Sequence, residues 1–235
     1  MLKIENFEVT GWEAAIRGMR NPKNSWKKSD SFIPCYHKTK CHKCEDNQKC
    51  AYYFEDGLPY KKDDFIGTND LDLMTRLRNA GTDHRKFMRM IIVYLDITAP
   101  LYYWKEFDTY KVGTVANSCS TMHKIADKEF TLEDFSCEHL ENSWLAHLKE
   151  TIRLLNEARD AYNWCNTDAK KEWWWQMIQL LPSSYNQRRT VMLNYEVLAN
   201  MYKSRRNHKL DEWHTFCDWI EKLPYSELIT GKDRK

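Results

Sequence analysis

The chain has 235 residues, 42% of them hydrophobic and 30% charged, an ordinary composition for a folded globular protein with one sizeable domain. Its 36 basic and 34 acidic side chains leave a net charge of +2, so no strong overall field draws it towards nucleic acid or a membrane surface. We therefore expect a single domain over residues 1–235, and we expect neither nucleic acid nor a membrane to be its main partner.

The N-terminal sequence carries neither the apolar stretch of a signal peptide nor the Arg-rich pattern of a transit peptide. No window approaches the roughly 18–20 apolar residues that a membrane span needs. The sequence therefore predicts a cytoplasmic protein. Its ten tryptophans and 14% aromatic content also suit a pocket for planar ligands.

Regular structure is predicted to begin with a short helix and then to be interrupted. The run "GWEAAIRGMRNP" has a helical pattern that ends at its Asn-Pro pair. Residues 23–65 show little periodicity and contain four clustered cysteines, so we expect an irregular, Cys-rich insert there. A second helix is predicted in "TNDLDLMTRLRNAG", with Thr68 or Asn69 as its N-cap.

A buried strand and another helix are predicted next. The segment "MRMIIVYLDITAP" is short and rich in β-branched and aromatic residues, which favours a strand of about eight residues. Pro100 is then expected to open a helix, because proline is tolerated in a first helical turn. Further along, "TLED" at 131–134 has the residues of a capping box.

The second half of the chain is predicted to be helical. The segment from about Ser143 to Trp164 has apolar residues at helical spacing, and "KEWWWQMIQLLP" and "LDEWHTFCDWIEKLP" are each predicted as a shorter helix. Between these two, "NQRRTVMLNYEVLANMYKSRR" is predicted as one long helix. Its inward-facing residues are expected to be Val191, Tyr195, Leu198 and Met201. The expected fold class is α+β, mainly helical with a small central β-sheet.

The stretch "YKVGTVANSCSTMHK", from Tyr110 to Lys124, is rich in small hydroxyls and amides and has no long apolar run. It follows directly after a compact aromatic patch, "APLYYWKEFDTY". Small polar side chains in a row contribute little to a core, and they are common where backbone and hydroxyls wrap a ligand. We therefore expect a binding site in this stretch.

Two further blocks of the chain carry a resemblance to a known family. In "HRKFMRMIIVYLDITAP", His84 is followed by a strand that ends in Ala-Pro. Further on, Asn194 lies twelve residues after Pro182, and Arg205 lies eleven residues after Asn194. In order and spacing, these blocks resemble the flavin-dependent thymidylate synthases, and the resemblance implies their fold.

The family's signature motif falls in the polar stretch, where it is eroded. Residues 109–111 stand at the positions of its Arg-His-Arg, and Asn117 and Ser120 match its Asn and second Ser. Its Glu and its closing Arg are replaced by Ser118 and Met122. The resemblance therefore supports the fold more strongly than the activity.

The resemblance implies C5 methylation of a pyrimidine nucleotide of the dUMP type, or a related C5 modification. FAD is the implied cofactor, and NADPH and methylenetetrahydrofolate are the implied co-substrates. In such enzymes the flavin supplies the difficult chemistry while protein groups bind, orient and polarise. The implied partners are a pyrimidine nucleotide and further copies of this chain, because the family generally assembles as a homotetramer.

The resemblance also assigns roles to particular residues. Arg205 is implied to stabilise negative charge on the pyrimidine ring, and Ser120 is the second residue implied in catalysis. The implied flavin-binding residues are His84, Tyr110, Lys111 and Asn194. The implied substrate-binding residues are Asn117, Glu106, Arg188, Arg206 and His123.

Several charges that the family uses are missing here. Met122 and Ile178 stand where the family has arginines, and Glu106 stands where it has Gln, bringing a negative charge that opposes a phosphate dianion. Each lost charged hydrogen bond costs about 1.5–3 kcal/mol, so two losses reduce affinity by orders of magnitude. Either the ligand differs or other residues rebuild the site. The candidates are His123, Lys124, Arg188 and Arg189.

The insert contains "CYHKTKCHKCEDNQKC", with four cysteines within sixteen residues. Four thiolates suit a tetrahedral structural zinc site, which would also explain how an irregular stretch stays folded. The proposed ligands are Cys35, Cys41, Cys44 and Cys50. An iron–sulfur cluster, free thiols and a disulfide pair are the alternatives.

Three functional hypotheses follow. The first is a flavin- and folate-using enzyme that modifies pyrimidines, of a phage or mobile element. The second is a non-catalytic nucleotide- or partner-binding protein that retains the fold, which Thr109, Ser118 and Met122 favour because they remove charge from the site. The third is RNA or DNA binding through "NQRR" and "KSRRNHK", which the near-neutral total charge opposes.

Overall fold

The structure is a computed structural model that describes residues 2–31, 52–55, 58–61 and 66–231, with the backbone alone for 52–55 and 58–61. The α-helices are α1 (Trp12–Arg20), α2 (Thr68–Asn79), α3 (Leu101–Phe107), α4 (Thr121–Lys124), α5 (Asn142–Trp164), α6 (Ala169–Leu180), α7 (Tyr195–Arg205), α8 (Asp211–Ile220) and α9 (Glu227–Thr230). The strands are β1 (Lys3–Thr10), β2 (Tyr52–Glu55), β3 (Leu58–Lys61), β4 (Ile92–Pro100), β5 (Val115–Ser118) and β6 (Asn186–Asn194). None of the described helices combines the length and the apolar character that a membrane span needs.

A four-stranded antiparallel sheet lies at the centre, with the strand order β1-β4-β6-β5. Its two inner strands, β4 and β6, pair along all nine residues of each strand. Alternate residues of β4 are fully or almost fully buried, as expected for a strand with one face on a core. These are Val93, Leu95, Ile97 and Ala99. The strand predicted in "MRMIIVYLDITAP" is confirmed.

Helices cover the buried face of the sheet and form the main core with it. The core combines the inward side chains of β4 and β6 with apolar residues of α1, α3, α7 and α8. Its largest fully buried side chains are aromatic: Trp104, Trp213, Tyr103, Tyr195, Phe107 and Phe216. The predicted class, α+β with mainly helical structure and a small central sheet, is confirmed.

A second, smaller core lies between α5 and α6. The predicted helical spacing in α5 is confirmed, because Leu148, Ile152, Leu155 and Ala158 all point into this core. Met177 of α6 packs against them. The loop that precedes α5 is stabilised by a capping box in which Thr131 and Asp134 bond to each other's backbone, as "TLED" predicts.

The long helix predicted over residues 186–206 is wrong in its first half. Residues 186–194 form β6, and only Tyr195–Arg205 is helical. The residues predicted to face inward, Val191, Tyr195, Leu198 and Met201, are nonetheless all fully buried. Burial alternates along most of this segment: Gln187, Val191 and Leu193 are buried, Arg189 is partly buried, and Arg188 and Thr190 are exposed, which is the period of a strand rather than a helix. Pairing with β4 therefore decides the conformation of this segment.

The predicted N-cap of α2 is also wrong. Gly67 holds the N-cap position, and no side chain within α2 caps it. The carboxylate of Asp30 instead accepts hydrogen bonds from the backbone N–H groups of Asn69 and Asp70, at 2.9 and 3.1 Å. A distant carboxylate thus satisfies the free amides of the first helical turn.

Glu196, a buried residue at the start of α7, forms ion pairs with the partly buried Arg85 and the half-exposed Arg89. Burial opposes its negative charge, but the hydrogen bonds and charges of the two arginines outweigh burial and lower the pKa of Glu196 below its ordinary value of 4.5. A depressed folded-state pKa stabilises the fold above the unfolded-state pKa. That stabilisation is lost as the pH falls through the folded-state value.

We therefore expect the free energy of unfolding to fall as the pH drops below 4.5. The change Glu196→Gln should flatten this acid dependence, and it should also lower the free energy of unfolding at neutral pH. Urea titrations from neutral pH to about pH 3 measure both effects. The control is Glu13→Gln, because the carboxylate of Glu13 pairs with Arg17 at the surface. An acid dependence as steep in Glu196→Gln as in the unchanged protein would contradict the assignment.

Candidate functional site

Arg205, the last residue of α7, is held at the edge of the main core by three neighbours. Its Nη1 lies 2.8 Å from Oε2 of Glu106 on α3, and its Nε donates to the hydroxyl of Tyr110 at 3.0 Å. Its guanidinium carbon lies 5.1 Å from the ring centroid of Trp213 on α8, within cation–π distance. The side chain is 16% exposed, so the cation is fixed in position and still reachable.

The charge of Arg205 is maintained despite its partial burial. Burial alone lowers the pKa of this guanidinium, but the hydrogen bond to Tyr110 and the negative charge of Glu106 outweigh burial and raise it. Glu106 is 41% exposed, so the ion pair faces solvent on the carboxylate side. The pair therefore presents a guanidinium donor beside a carboxylate acceptor.

Three buried polar atoms in this region have no hydrogen-bond partner within the described part of the chain: the hydroxyls of Tyr103 and Thr114 and the indole nitrogen of Trp213. Tyr103 and Trp213 are in direct contact, with ring centroids 4.7 Å apart, and burial raises the pKa of Tyr103 well above its ordinary value. Unpartnered buried polar atoms are rare in native proteins and concentrate where strain or function retains them. Trp213, which contacts Arg205, and Tyr103, which contacts Trp213, therefore mark the surroundings of Arg205 as a candidate site.

The turn at the start of the polar stretch packs tightly on the N-terminus of α7. Gly113 has φ +78°, and a Cβ there would lie 2.9 Å from Nδ2 of Asn194. The Oδ1 of Asn194 accepts the N–H of Val197 at 3.0 Å and so caps α7. This close approach requires glycine at 113. The cap uses one of the two lone pairs of Oδ1, so the second lone pair and the amide nitrogen of Asn194 are left for other contacts.

Ser120 lies in a different place, on the wall of a cavity of about 700 Å³. Its hydroxyl accepts the backbone N–H of His123 at 3.1 Å and caps the short helix α4. Cys119 ties this wall to β6, because its N–H donates to the carbonyl of Arg188 and its carbonyl accepts from Gln187, both at 2.9 Å. We call this space the Ser120 cavity. Its polar and charged lining includes Cys119, Thr121, Lys124, Lys128, Asn186, Gln187 and Arg188.

Carboxylates already pair with the cations of the Ser120 cavity. Arg188 donates to Asp96 at 2.8 Å, Lys124 lies 2.9 Å from Asp127, and Lys128 pairs with Asp134. Hydrogen bonds from Thr190, Asn6 and Arg188 to Asp96 lower the pKa of that carboxyl far below its ordinary value. An anion that enters this cavity therefore competes with existing ion pairs.

Two solved structures resemble this chain over nearly its whole length. Both are of flavin-dependent thymidylate synthase from Helicobacter pylori, with FAD and dUMP. Each match covers 98% of this chain and 98% of the other, with TM-scores of 0.60 and 0.61 at 14% sequence identity. The chain has the flavin-dependent thymidylate synthase fold. No family model and no curated protein matches its sequence, so the likeness lies in the three-dimensional structure.

Within one chain of this thymidylate synthase fold, the predicted site residues form separate groups. Arg205, Tyr110 and Glu106 are in contact, and we call them, with Trp213, the Arg205 cluster. The lining of the Ser120 cavity contains Arg188 but not Arg205. The Ser120 cavity of the described residues therefore does not include the second predicted catalytic residue.

The other predicted residues occupy further positions. Arg206 lines a second cavity, of about 620 Å³, between the end of α7 and α8. Asn117 lies on the edge strand β5, opposite Thr190 of β6. The exposed residues Lys111, His123 and His84 lie respectively in the polar turn, on α4 and in the turn after α2.

The predicted metal ligands Cys35, Cys41, Cys44 and Cys50 lie outside the described residues. Within the described ranges, no group of three or more potential ligands is arranged to hold a metal ion. The zinc hypothesis therefore stays a prediction from the cysteine spacing.

Sequence reasoning found part of the aromatic wall of the Arg205 cluster but not the strand wall of the Ser120 cavity. The family resemblance includes Trp213, the Trp that follows Arg205, and the structure places Tyr103 against Trp213. Their unpartnered polar atoms become evident only in three dimensions. Gln187 supports Cys119 from β6, and no local signal marks Gln187, because the apolar residues of this strand form one short run at 191–193.

Proposed function

We propose that this chain is a flavin-dependent enzyme that modifies C5 of a pyrimidine nucleotide of the dUMP type. The observation that carries the proposal is Arg205, a fixed and partly exposed cation beside Tyr110, Glu106 and Trp213 in a chain with the fold of a thymidylate synthase. That fold is compatible with the proposal, and the Arg205 cluster gives it a chemical centre.

Arg205 would donate hydrogen bonds to the carbonyl oxygens of the pyrimidine ring. Its Nε and Nη1 already donate to Tyr110 and Glu106, which leaves Nη2 to donate to a ligand oxygen. A fixed guanidinium there stabilises negative charge that develops on the ring as C5 reacts. The planar aromatic walls beside it suit a flat base.

The phosphate would bind at the Ser120 cavity. Ser120 and Thr121 supply hydroxyls, and Arg188 and Lys124 supply positive charge. These groups would substitute for the two family arginines that are replaced here by Met122 and Ile178. Neither replacement carries a charge: Met122 is half exposed, and Ile178 packs against the second core. Because Asp96 and Asp127 compete for the two cations, the phosphate would bind less tightly than in a site with free arginines.

The residues proposed for FAD fit such a ligand in part. Lys111 and His84 are exposed, and the hydroxyl of Thr114 is a buried polar atom without a partner in the described structure. Asn194 already uses one lone pair of Oδ1 to cap α7, and the hydroxyl of Tyr110 already accepts from Arg205. When bound, the flavin would supply the redox chemistry, with methylenetetrahydrofolate and NADPH as co-substrates. The protein would bind and orient the flavin and exclude water.

The proposal requires more than one copy of the chain. The Arg205 cluster and the Ser120 cavity are separate in a single chain, so a complete site would combine the cluster of one copy with the cavity of another. Such shared sites are built from the same surfaces on every copy of a symmetric oligomer. We propose a homotetramer, and a zinc ion held by the four clustered cysteines as a separate structural element.

One observation favours a second candidate function, a non-catalytic nucleotide- or partner-binding protein. Glu106 lies 2.8 Å from Arg205 and neutralises the cation that the reaction needs. Combined with the uncharged residues Ser118 and Met122 in the eroded signature, this ion pair would permit binding without turnover.

Ligand binding by the purified protein tests the proposal. We expect the purified protein to be yellow, or to become yellow on soaking with FAD. Its absorbance spectrum should then show the flavin band at about 450 nm. We also expect dUMP, dCMP or dTMP to raise the melting temperature, because a ligand at about 100 times its Kd adds about 2.7 kcal/mol. Nucleotide binding without flavin binding would support the non-catalytic alternative. Failure of both ligands would contradict the proposed function.

A further inference from the structure

A cavity of about 640 Å³ lies where the end of α1 meets the start of α2, and we call it the α1–α2 cavity. It shares no lining residue with the Ser120 cavity. Its lining is rich in cations: Arg20, Lys23, Lys27, Lys28 and Arg76. In a protein with a net charge of only +2, this is a local concentration of positive charge.

The acidic residues of the α1–α2 cavity do not neutralise its lysines. Asp30 caps the N-terminus of α2 through two backbone N–H groups, and Asp72 pairs with Arg76 at 2.9 Å. The ion pairs of the described residues give no carboxylate partner to the remaining cations, Lys23, Lys27 and Lys28. Three exposed ammonium groups therefore face solvent around one hollow.

The wall that carries these lysines is fixed by a buried ion pair. Arg20 is 4% exposed, its Nε lies 2.6 Å from Asp70, and its Nη1 donates to the carbonyl of Ser25 at 3.2 Å. Asp70 also accepts hydrogen bonds from the hydroxyls of Ser29 and Ser31, both at 2.6 Å. The backbone that presents Lys27 and Lys28 is thus held in one conformation, which lowers the entropy cost of binding.

We propose that the α1–α2 cavity binds the di- or triphosphate group of a small molecule such as a free nucleotide, with the phosphates on Lys23, Lys27 and Lys28. The volume is within the range of about 300–1,000 Å³ that is usual for small-ligand pockets. The low net charge of the protein favours a free nucleotide over a long nucleic acid. This site is additional to the proposed catalytic one and does not depend on it.

Calorimetric titration of the full-length protein with ADP, inorganic pyrophosphate and a single-stranded oligothymidylate tests the proposal. We expect saturable binding of ADP and pyrophosphate, and Lys27→Gln/Lys28→Gln should weaken both by about 10-fold or more. The matched control is Lys149→Gln/Lys222→Gln, two exposed lysines on other parts of the chain, which should bind ADP as the unchanged protein does.

Several outcomes would overturn the proposal. They are no binding of ADP or pyrophosphate, unchanged affinity in the double lysine variant, or binding of the oligothymidylate alone. Displacement of ADP by excess dUMP would also overturn it, because it would place ADP in the proposed catalytic site. If the double variant fails to fold, Lys23→Gln alone provides the same comparison. ADP binding in a protein that binds neither dUMP nor FAD would support this site while contradicting the proposed function.

Discussion

Replacing Arg205 by lysine should lower kcat/KM for the pyrimidine nucleotide by about 10²- to 10³-fold. Lysine keeps the positive charge and can still pair with Glu106, but it cannot donate to Tyr110, Glu106 and a ligand in one fixed plane. The loss should fall mainly on kcat, because the contact strengthens as charge develops on the ring. Steady-state kinetics with the pyrimidine nucleotide measures the effect.

The matched control is Arg153→Lys. Arg153 lies on α5, is 53% exposed and pairs with Glu150 and Glu157 of the same helix. The control variant should retain the kcat/KM of the unchanged protein. If Arg205→Lys also retained it, with its fold intact by circular dichroism, Arg205 would have no part in the reaction.

The largest expected effect on stability is that of Asp70→Ala. Asp70 is fully buried and accepts hydrogen bonds from Arg20, Ser29, Asp30 and Ser31. Burial opposes the charge of Asp70, but hydrogen bonds from the two serines and Arg20 lower the pKa of the carboxyl overall. Removing it leaves the Arg20 guanidinium buried without its partner, which costs about 3–5 kcal/mol of unfolding free energy. Urea denaturation measures this loss.

Asp72→Ala is the matched control, because Asp72 lies on the same helix. Its carboxylate is 65% exposed and pairs with Arg76 at the surface, so we expect a loss of about 1 kcal/mol or less. A loss for Asp70→Ala no larger than that of the control would show that the Arg20–Asp70 pair does not stabilise the fold. Because this pair also fixes Lys27 and Lys28, a weakened pair should reduce anion binding in the α1–α2 cavity.

The sequence predicted most elements whose signal is local. The apolar spacing of α5 and the β-branched run of β4 each determine one conformation, and the structure confirms both. The segment 186–194 was predicted incorrectly, because Val191 and Leu193 fit a helical and a strand period almost equally over so few residues. The antiparallel partner β4, more than 85 residues away in sequence, decides between them. Such a contact is absent from a local pattern.

In the candidate site, too, the sequence predicted the residues but not the contacts between distant elements. The family resemblance placed Arg205, Tyr110 and Glu106 among the functional residues, and the structure brings these three into contact. Spacing did not show that Glu106 would neutralise Arg205, because that depends on how α3 packs beside the end of α7. Nor did it show that Ser120 would line a separate cavity. Side-chain partners and cavities arise from packing between elements that are distant in sequence.

The most direct test of the proposed function is product formation. Purified protein is incubated with FAD, NADPH and methylenetetrahydrofolate and with dUMP, UMP or dCMP in turn, and the nucleotides are analysed by mass spectrometry. We expect one of the three to gain a carbon at C5, in a reaction that depends on flavin and is nearly lost in Arg205→Lys. A protein that binds flavin and nucleotide but converts none of the three would contradict the assignment as a C5-modifying enzyme.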